Sequence, residues 1–321
     1  MLTSQSLKIF FFGAPYFSRE ILKYLLDKGI VVDTVITHPD KPMGRKQVLA
    51  PTEVKELALS QNIRTKEFKI LDRETLDFFK KEKPDLFITA SYGAIIPQEI
   101  LDIPRLGALN VHPSLLPKLR GATPIQTALW RGANKTGSTI MLMDAGMDTG
   151  NIIKQKEIVV KPTEKYPELE QKLINLSNEL LLPVIQNIIK TNKKPVGISQ
   201  NNQEATFTKL IKKQDGLIDW EKSAQKIYNQ WRAFYNWPQI YTFYNNQKLT
   251  LTEIEIFPKN GILKELRESS PGVVFENLDN TLVATGDNPI KIVKVQLAGK
   301  KELPIKDFLN GQNKFIGSVL K

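Results

Sequence analysis

Asn110 and His112 stand one residue apart at the start of NVHPSLLPKLRGATPIQTAL (110–129). On a strand, residues two apart project from the same face, so a carboxamide and an imidazole would enter one cleft together. Such a pair suits acyl transfer, because both groups donate to an oxygen on which negative charge develops. The alternative for His112 is a hydrogen-bonded structural histidine. A second stretch, LMDAGMDTGNII (142–153), carries Asp144 and Asp148 in a glycine-containing loop. Either aspartate could close a turn on its own backbone. Either could instead orient His112 or hold a water beside it.

Composition removes other chemistries. Cysteine is absent, which excludes thiolate nucleophiles, disulfides, iron–sulfur clusters and cysteine-bound zinc. His38 and His112 are the only histidines, too few for a histidine cage, so no metal is expected. FFGAPYFS (11–18) places Gly13 after an apolar run, but the further glycines of a dinucleotide fingerprint are missing. Pro15 also lacks the amide hydrogen a phosphate cradle would use. Lys and Arg number 45 against 34 Asp and Glu, a net charge of +11. That surplus points to an anionic partner, nucleic acid first, with a merely lysine-rich surface as the alternative.

The elements that must position these residues follow from the hydrophobic pattern. The length of 321 residues predicts two domains. LKIFFFG (7–13), VVDTVITH (31–38), DLFITASYG (85–93), GALNVHPS (107–114) and STIMLMD (138–144) read as buried strands. Between them, a helix capped by Ser18 and ended by Gly29, then TEVKELALSQN, RETLDFFKKEK and a segment from Thr123 to Arg131 read as helices. This alternation predicts an α/β domain with a Rossmann-like, mostly parallel sheet over residues 1–190. Ligands of such sheets bind at the carboxyl ends of strands, where SYG and NVHPS fall. The proline-rich PDKPMGRKQVLAP (39–51) reads as a loop, and Leu169 to Ile188 as a long amphipathic helix containing Pro183.

Residues 191–206 are polar and aperiodic, a linker. Residues 207–321 turn to short alternating runs with Asn and Gly turns, which predict a smaller OB-like β-barrel. Its Lys209, Lys212, Lys213, Lys291, Lys294, Lys300 and Lys301 could follow phosphates. Trp231, Phe234, Tyr235 and Trp237 read as interdomain core rather than base-stacking platforms. No signal-peptide pattern or membrane-length apolar run is visible, so a cytoplasmic protein with no membrane association is expected.

SYGAIIP, NVHPSLLPKLRGATPIQTAL and MDAGMDTGNI, in this order, resemble the 10-formyltetrahydrofolate-dependent formyltransferases. FFGAPYFS resembles that family's opening turn, and THPDKPMGRKQVLAPTEVKELA its basic inserted loop. ATFTKLIKKQDGLIDWEKSAQKIYNQWRAFYNWP resembles its junction between linker and barrel. The resemblance implies transfer of a formyl group from 10-formyltetrahydrofolate to the α-amino group of methionyl initiator tRNA, for translation initiation. It implies Asn110, His112 and Asp148, rather than Asp144, as the catalytic trio. It implies that Ser91, Tyr92 and Gly93 line the pterin pocket, and that Ser114, Leu115, Leu116 and Pro117 surround the donor's reactive end. Lys41, Arg45 and Lys46 would meet tRNA, the barrel would bind it too, and the protein would be a monomer. Ala14 and Leu119 depart from the family's usual threonine and aromatic without removing a catalytic group. Two other readings stay open: the same chemistry on a sugar nucleotide or glycinamide ribonucleotide, and a noncatalytic folate- or RNA-binding protein.

Overall fold

The computed structural model describes residues 7–43, 47–258, 260 and 269–321. Two compact units emerge, and neither is a single run of chain. The first comprises residues 1–124, 135–159 and 170–209; the second comprises 125–134, 160–169 and 210–321.

Elements of the first half, in chain order, are β1 (Ile9–Phe12), α1 (Tyr16–Asp27), β2 (Thr34–Thr37), β3 (Lys41–Met43), β4 (Val48–Ala50) and α2 (Glu53–Ser60). There follow β5 (Arg64–Glu67), α3 (Arg73–Glu82), β6 (Leu86–Ala90), α4 (Gln98–Leu101), β7 (Ala108–His112) and α5 (Pro124–Trp130). Then come β8 (Lys135–Leu142), β9 (Ile152–Val159) and α6 (Tyr166–Thr191). Seven of these strands form one sheet in the order β5-β2-β1-β6-β7-β8-β9. The first five run parallel, and β8 and β9 join antiparallel. β1, β6 and β7 are buried along their whole lengths, as strands covered on both faces must be.

Chain order reverses between β1 and β6, which leaves a crevice outside their carboxyl ends. Beneath it Phe10, Phe12, Phe79, Phe87 and Tyr92 share a core with Ala108 of β7. Phe12 and Phe87 meet edge to face at 4.8 Å. The sheet row Phe12–Thr89–Asn110 continues directly from this aromatic layer toward the crevice.

Two local expectations change. Pro15, not Ser18, is the N-cap of α1, since the fixed proline φ suits a helix start. Ser18 sits in the first turn, where its Oγ accepts from Ala14 N at 3.0 Å and donates to Pro15 O at 2.8 Å. The segment 39–51 is not wholly a loop: β3 and β4 pair as an antiparallel ladder from Lys41–Ala50 to Met43–Val48.

The second half adds α7 (Ala224–Ala233), β10 (Tyr241–Tyr244), β11 (Gln247–Ile256), β12 (Val274–Asn277), β13 (Asn280–Val283), β14 (Ile290–Leu297), β15 (Glu302–Pro304) and α8 (Ile305–Asn310). Its strands form an antiparallel sheet, β10-β11-β14-β13-β12 with β15 on β14, curled into an OB-like half-barrel. Leu249, Leu251, Ile254, Ile290, Ile292 and Val295 supply its buried face. The aromatic cluster differs from expectation. Trp231 and Phe234 are buried within this unit, where Trp231 Nε1 donates to Thr252 O at 3.1 Å and Phe234 meets Trp130 at 4.8 Å. Tyr235 and Trp237 lie at the surface instead. Among the described residues, no helix is long and apolar enough to cross a membrane.

Candidate active site

β7 ends at the crevice and carries Asn110 and His112 on one face, 9% and 4% exposed. The loop after β8 brings Asp148 back to them. Asn110 Nδ2 donates to Asp148 Oδ1 at 3.3 Å, and His112 Nδ1 lies 3.6 Å from the same oxygen. The other oxygen, Oδ2, accepts from Gly121 N at 2.7 Å. A carboxamide and an imidazole therefore converge on one anionic oxygen. Asp144 lies outside this cluster: its Oδ1 accepts from Gly146 N and Thr149 Oγ1, a local turn.

The opposite ring nitrogen, His112 Nε2, lies 3.0 Å from Leu119 O. Each ring nitrogen thus faces an oxygen, Asp148 Oδ1 on one side and Leu119 O on the other. Leu119 reaches this position with a φ of 60°, a left-handed conformation that a bulky residue seldom adopts. Thr206 Oγ1 accepts from Leu119 N at 2.9 Å and holds it there.

Ser91, Tyr92 and Gly93 follow β6 at the same sheet edge, beside β7. Left-handed φ angles at Ser91 (45°) and Gly93 (80°) fold the loop back, and space beside Gly93 is open. His38 stacks on Tyr92 at 4.7 Å and 11°, and its Nε2 lies 2.6 Å from Tyr92 O. Sequence reasoning gave His38 no role; it buttresses this loop. Burial raises the Tyr92 phenol to about 12, and its Oη, like Thr89 Oγ1, is buried without a partner. Ile95 is 79% exposed. A loop with exposed backbone at Ser91 and Gly93 and an apolar flank at Ile95 fits a flat ring with polar edges, such as a pteridine.

The segment 114–117 is more committed to the protein. Ser114 is fully buried; its Oγ donates to Lys118 O at 2.7 Å, and its carbonyl accepts from Thr139 Oγ1 at 2.6 Å. Leu116 is buried and its carbonyl accepts from Gln155 Nε2 at 2.9 Å. Leu115 packs its side chain against Gly137, and the Leu116–Pro117 peptide is cis. Lys41 is exposed on β3. Arg45 and Lys46 lie outside the described residues.

The formyl transferase family model matches residues 7–185, and the model of the formyl transferase C-terminal domain matches residues 210–313. A methionyl-tRNA formyltransferase of Caldicellulosiruptor saccharolyticus is 38% identical over 315 residues, covering 97% of this chain and 99% of that relative. One from Thermotoga maritima is 37% identical over 308 residues, covering 95% and 96%. Among solved structures, an N-formyltransferase from Helicobacter canadensis with folinic acid and dTDP-3-aminofucose superposes with a TM-score of 0.63 at 19% identity, covering 89% of this chain and 98% of that one. HypX from Aquifex aeolicus with tetrahydrofolic acid superposes with a TM-score of 0.62 at 16% identity, covering 97% and 48%. At those identities the likeness concerns the fold.

Proposed function

We propose a reaction for this chain from the premise that it belongs to the methionyl-tRNA formyltransferase family of formyl transferases: transfer of a formyl group from 10-formyltetrahydrofolate to the α-amino group of methionyl initiator tRNA, serving translation initiation in the cytoplasm. The observation that carries it is the convergence of Asn110 Nδ2 and His112 Nδ1 on a single oxygen of Asp148. A carboxamide, an imidazole and a carboxylate gathered at one point supply the oxyanion donors and the proton acceptor that an acyl transfer uses.

The acceptor amine, with an ordinary pKa of about 8, attacks as the neutral base. Its nitrogen forms a bond to the formyl carbon, and the carbonyl electron pair moves onto oxygen. Asn110 Nδ2 would donate to that oxygen, and so would His112 through Nε2 on turning from Leu119 O, while Asp148 holds the imidazole from the Nδ1 side. A water beside Asp148 carries the amine's proton away. The electron pair on oxygen then returns, the bond from carbon to the folate nitrogen breaks, and that nitrogen takes a proton. No covalent enzyme intermediate is required, in keeping with a chain that lacks cysteine.

Ser91, Tyr92 and Gly93 would hold the pterin, and residues 114–117 would shape the approach to its reactive end. Full-length likeness to tRNA-acting relatives, half-barrel included, supports a large nucleic-acid acceptor over a small one. Residues 207–321 and Lys41, with Arg45 and Lys46, would meet the tRNA of a monomeric enzyme. The test is a panel of acceptors with one labelled donor: methionyl initiator tRNA, methionyl elongator tRNA, a dTDP-amino sugar and glycinamide ribonucleotide. Label in the initiator tRNA is expected. Label only in a small acceptor would overturn the assignment.

A further inference from the structure

We infer that Gln200 is a positioning residue for Asp148, itself held by the buried guanidinium of Arg120; the inference rests on the catalytic role given to Asp148 above. Asp148 has a φ of 54°. Left-handed backbone is uncommon for a residue with a side chain, although aspartate tolerates it better than most, and local contacts decide whether it is held. While Gly121 N holds the carboxylate, one side chain holds the backbone. Gln200 Nε2 donates to Asp148 O and to Gly150 O, each at 2.8 Å. Its Oε1 accepts from Arg120 Nη2 at 2.7 Å and Nε at 3.2 Å. The carboxamide can sit only one way round, because a flip would set its NH₂ against the guanidinium and its oxygen against two carbonyls.

Arg120 is 3% exposed, and its Nη2 also donates to Asn202 Oδ1 at 2.8 Å. A guanidinium buried among neutral amides is a costly way to fill space, which an apolar side chain would do better. Its value lies in aim. The planar fork fixes Gln200, and Gln200 fixes the backbone that presents the carboxylate. Backbone bonds lock the same assembly: Arg120 N donates to Thr206 O, and Thr208 N to Arg120 O, both at 2.8 Å. The segment expected to be a tether therefore forms a strap behind the catalytic loop. Slack in it moves Asp148 Oδ1 away from Asn110 and His112, and a misplacement of about 1 Å costs on the order of 100-fold in rate.

The test is Gln200→Met, which keeps length and removes every polar contact. With methionyl initiator tRNA and 10-formyltetrahydrofolate, kcat is expected to fall about 10- to 100-fold while both KM values stay within about threefold. The pH–rate profile should be displaced as well. In the free protein, the ring ¹⁵N–¹H resonances of His112, one of two histidines, should move while thermal stability shows the chain folded. Wild-type kcat, profile and resonances would overturn the inference, and so would a lower kcat with unmoved His112 resonances. Should Gln200→Met fail to fold, Arg120→Lys, which keeps the charge and loses the fork, is read by the same criteria. If the wild type formylates nothing, the functional reading fails, and the His112 resonances still decide whether Gln200 positions Asp148.

Discussion

Replacing Asn110 with alanine separates what the side chain does for the fold from what it does for the reaction. In the resting protein its Nδ2 donates to Asp148 Oδ1 at 3.3 Å, slightly longer than the usual N–H···O range. Its loss should cost about 1 kcal/mol of stability, a drop of about 2–4 °C in a domain of this size. The β7 ladder runs through backbone atoms to β6 and β8 and is untouched. In the proposed transition state the Asn110 carboxamide would face a negative oxygen, and deleting one such donor costs about 10²–10³-fold, or about 2.7–4 kcal/mol. The kinetic loss should therefore exceed the stability loss by about 2 kcal/mol or more. Single-turnover transfer of labelled formyl to methionyl-tRNA gives the first number, and urea unfolding the second. A folded Asn110→Ala variant whose rate lies within tenfold of wild type would refute the donor role.

Glu82 accepts from Arg64 and Lys8, and the Arg64 guanidinium, then the Lys8 ammonium, hold its carboxyl down at about 2. Its stabilising effect is present above the ordinary value of 4.5 and is lost as pH falls toward 2. The gap in thermal midpoint between wild type and Glu82→Gln should accordingly shrink between those pH values, and a constant gap would contradict the pairing. Tyr92→Phe deletes a buried hydroxyl with no partner, so stability should hold or rise with donor KM unchanged. Tyr92→Ala, which strips the ring from His38, should raise that KM; equal KM values for the two variants would show that the ring does not support the pocket. Lys291 and Lys294 are paired with Glu255 and Glu253. Lys248 lies 4.0 Å over the Tyr241 ring, and burial, then Lys213, lowers its pKa. Lys213→Gln and Lys248→Gln should each reduce the salt slope of tRNA binding by about 0.7–0.9, whereas Lys291→Gln and Lys294→Gln should leave it nearly unchanged. The reverse ranking would move the RNA-binding surface elsewhere.

The parts of this protein legible in its sequence are those where local pattern and tertiary need agree. The apolar runs IFFF, LFITA and ALNVH are buried strands, and the period-two spacing of Asn110 and His112 set them on one face before any coordinates. The segments TEVKELALSQN and RETLDFFKKEK contain α2 and α3, which Thr52 and Asp72 cap through their side chains. What escaped was polar or distant. β5 reads RTKE and β9 reads IIKQKEIV; both are sheet edges with mostly exposed side chains, so neither carries a burial signal. The hairpin of β3 and β4 is hidden by the proline and charges of its segment. Arg120 and Gln200 lie 80 residues apart, and no local rule links a glutamine in a polar stretch to an aspartate 52 positions earlier. The left-handed backbone at Leu119 is likewise a product of tertiary contacts rather than of residue preference.

The central claim is that the formyl oxygen of the substrate binds beside Asp148, within donor reach of Asn110 and His112. A structure of the protein with a stable, formyl-bearing folate analogue and methionyl-tRNA measures this directly. The account predicts the formyl oxygen within about 2.7–3.1 Å of Asn110 Nδ2, with His112 and Asp148 beside it. A formyl group bound elsewhere in the crevice, beyond hydrogen-bond reach of Asn110 and His112, would contradict it.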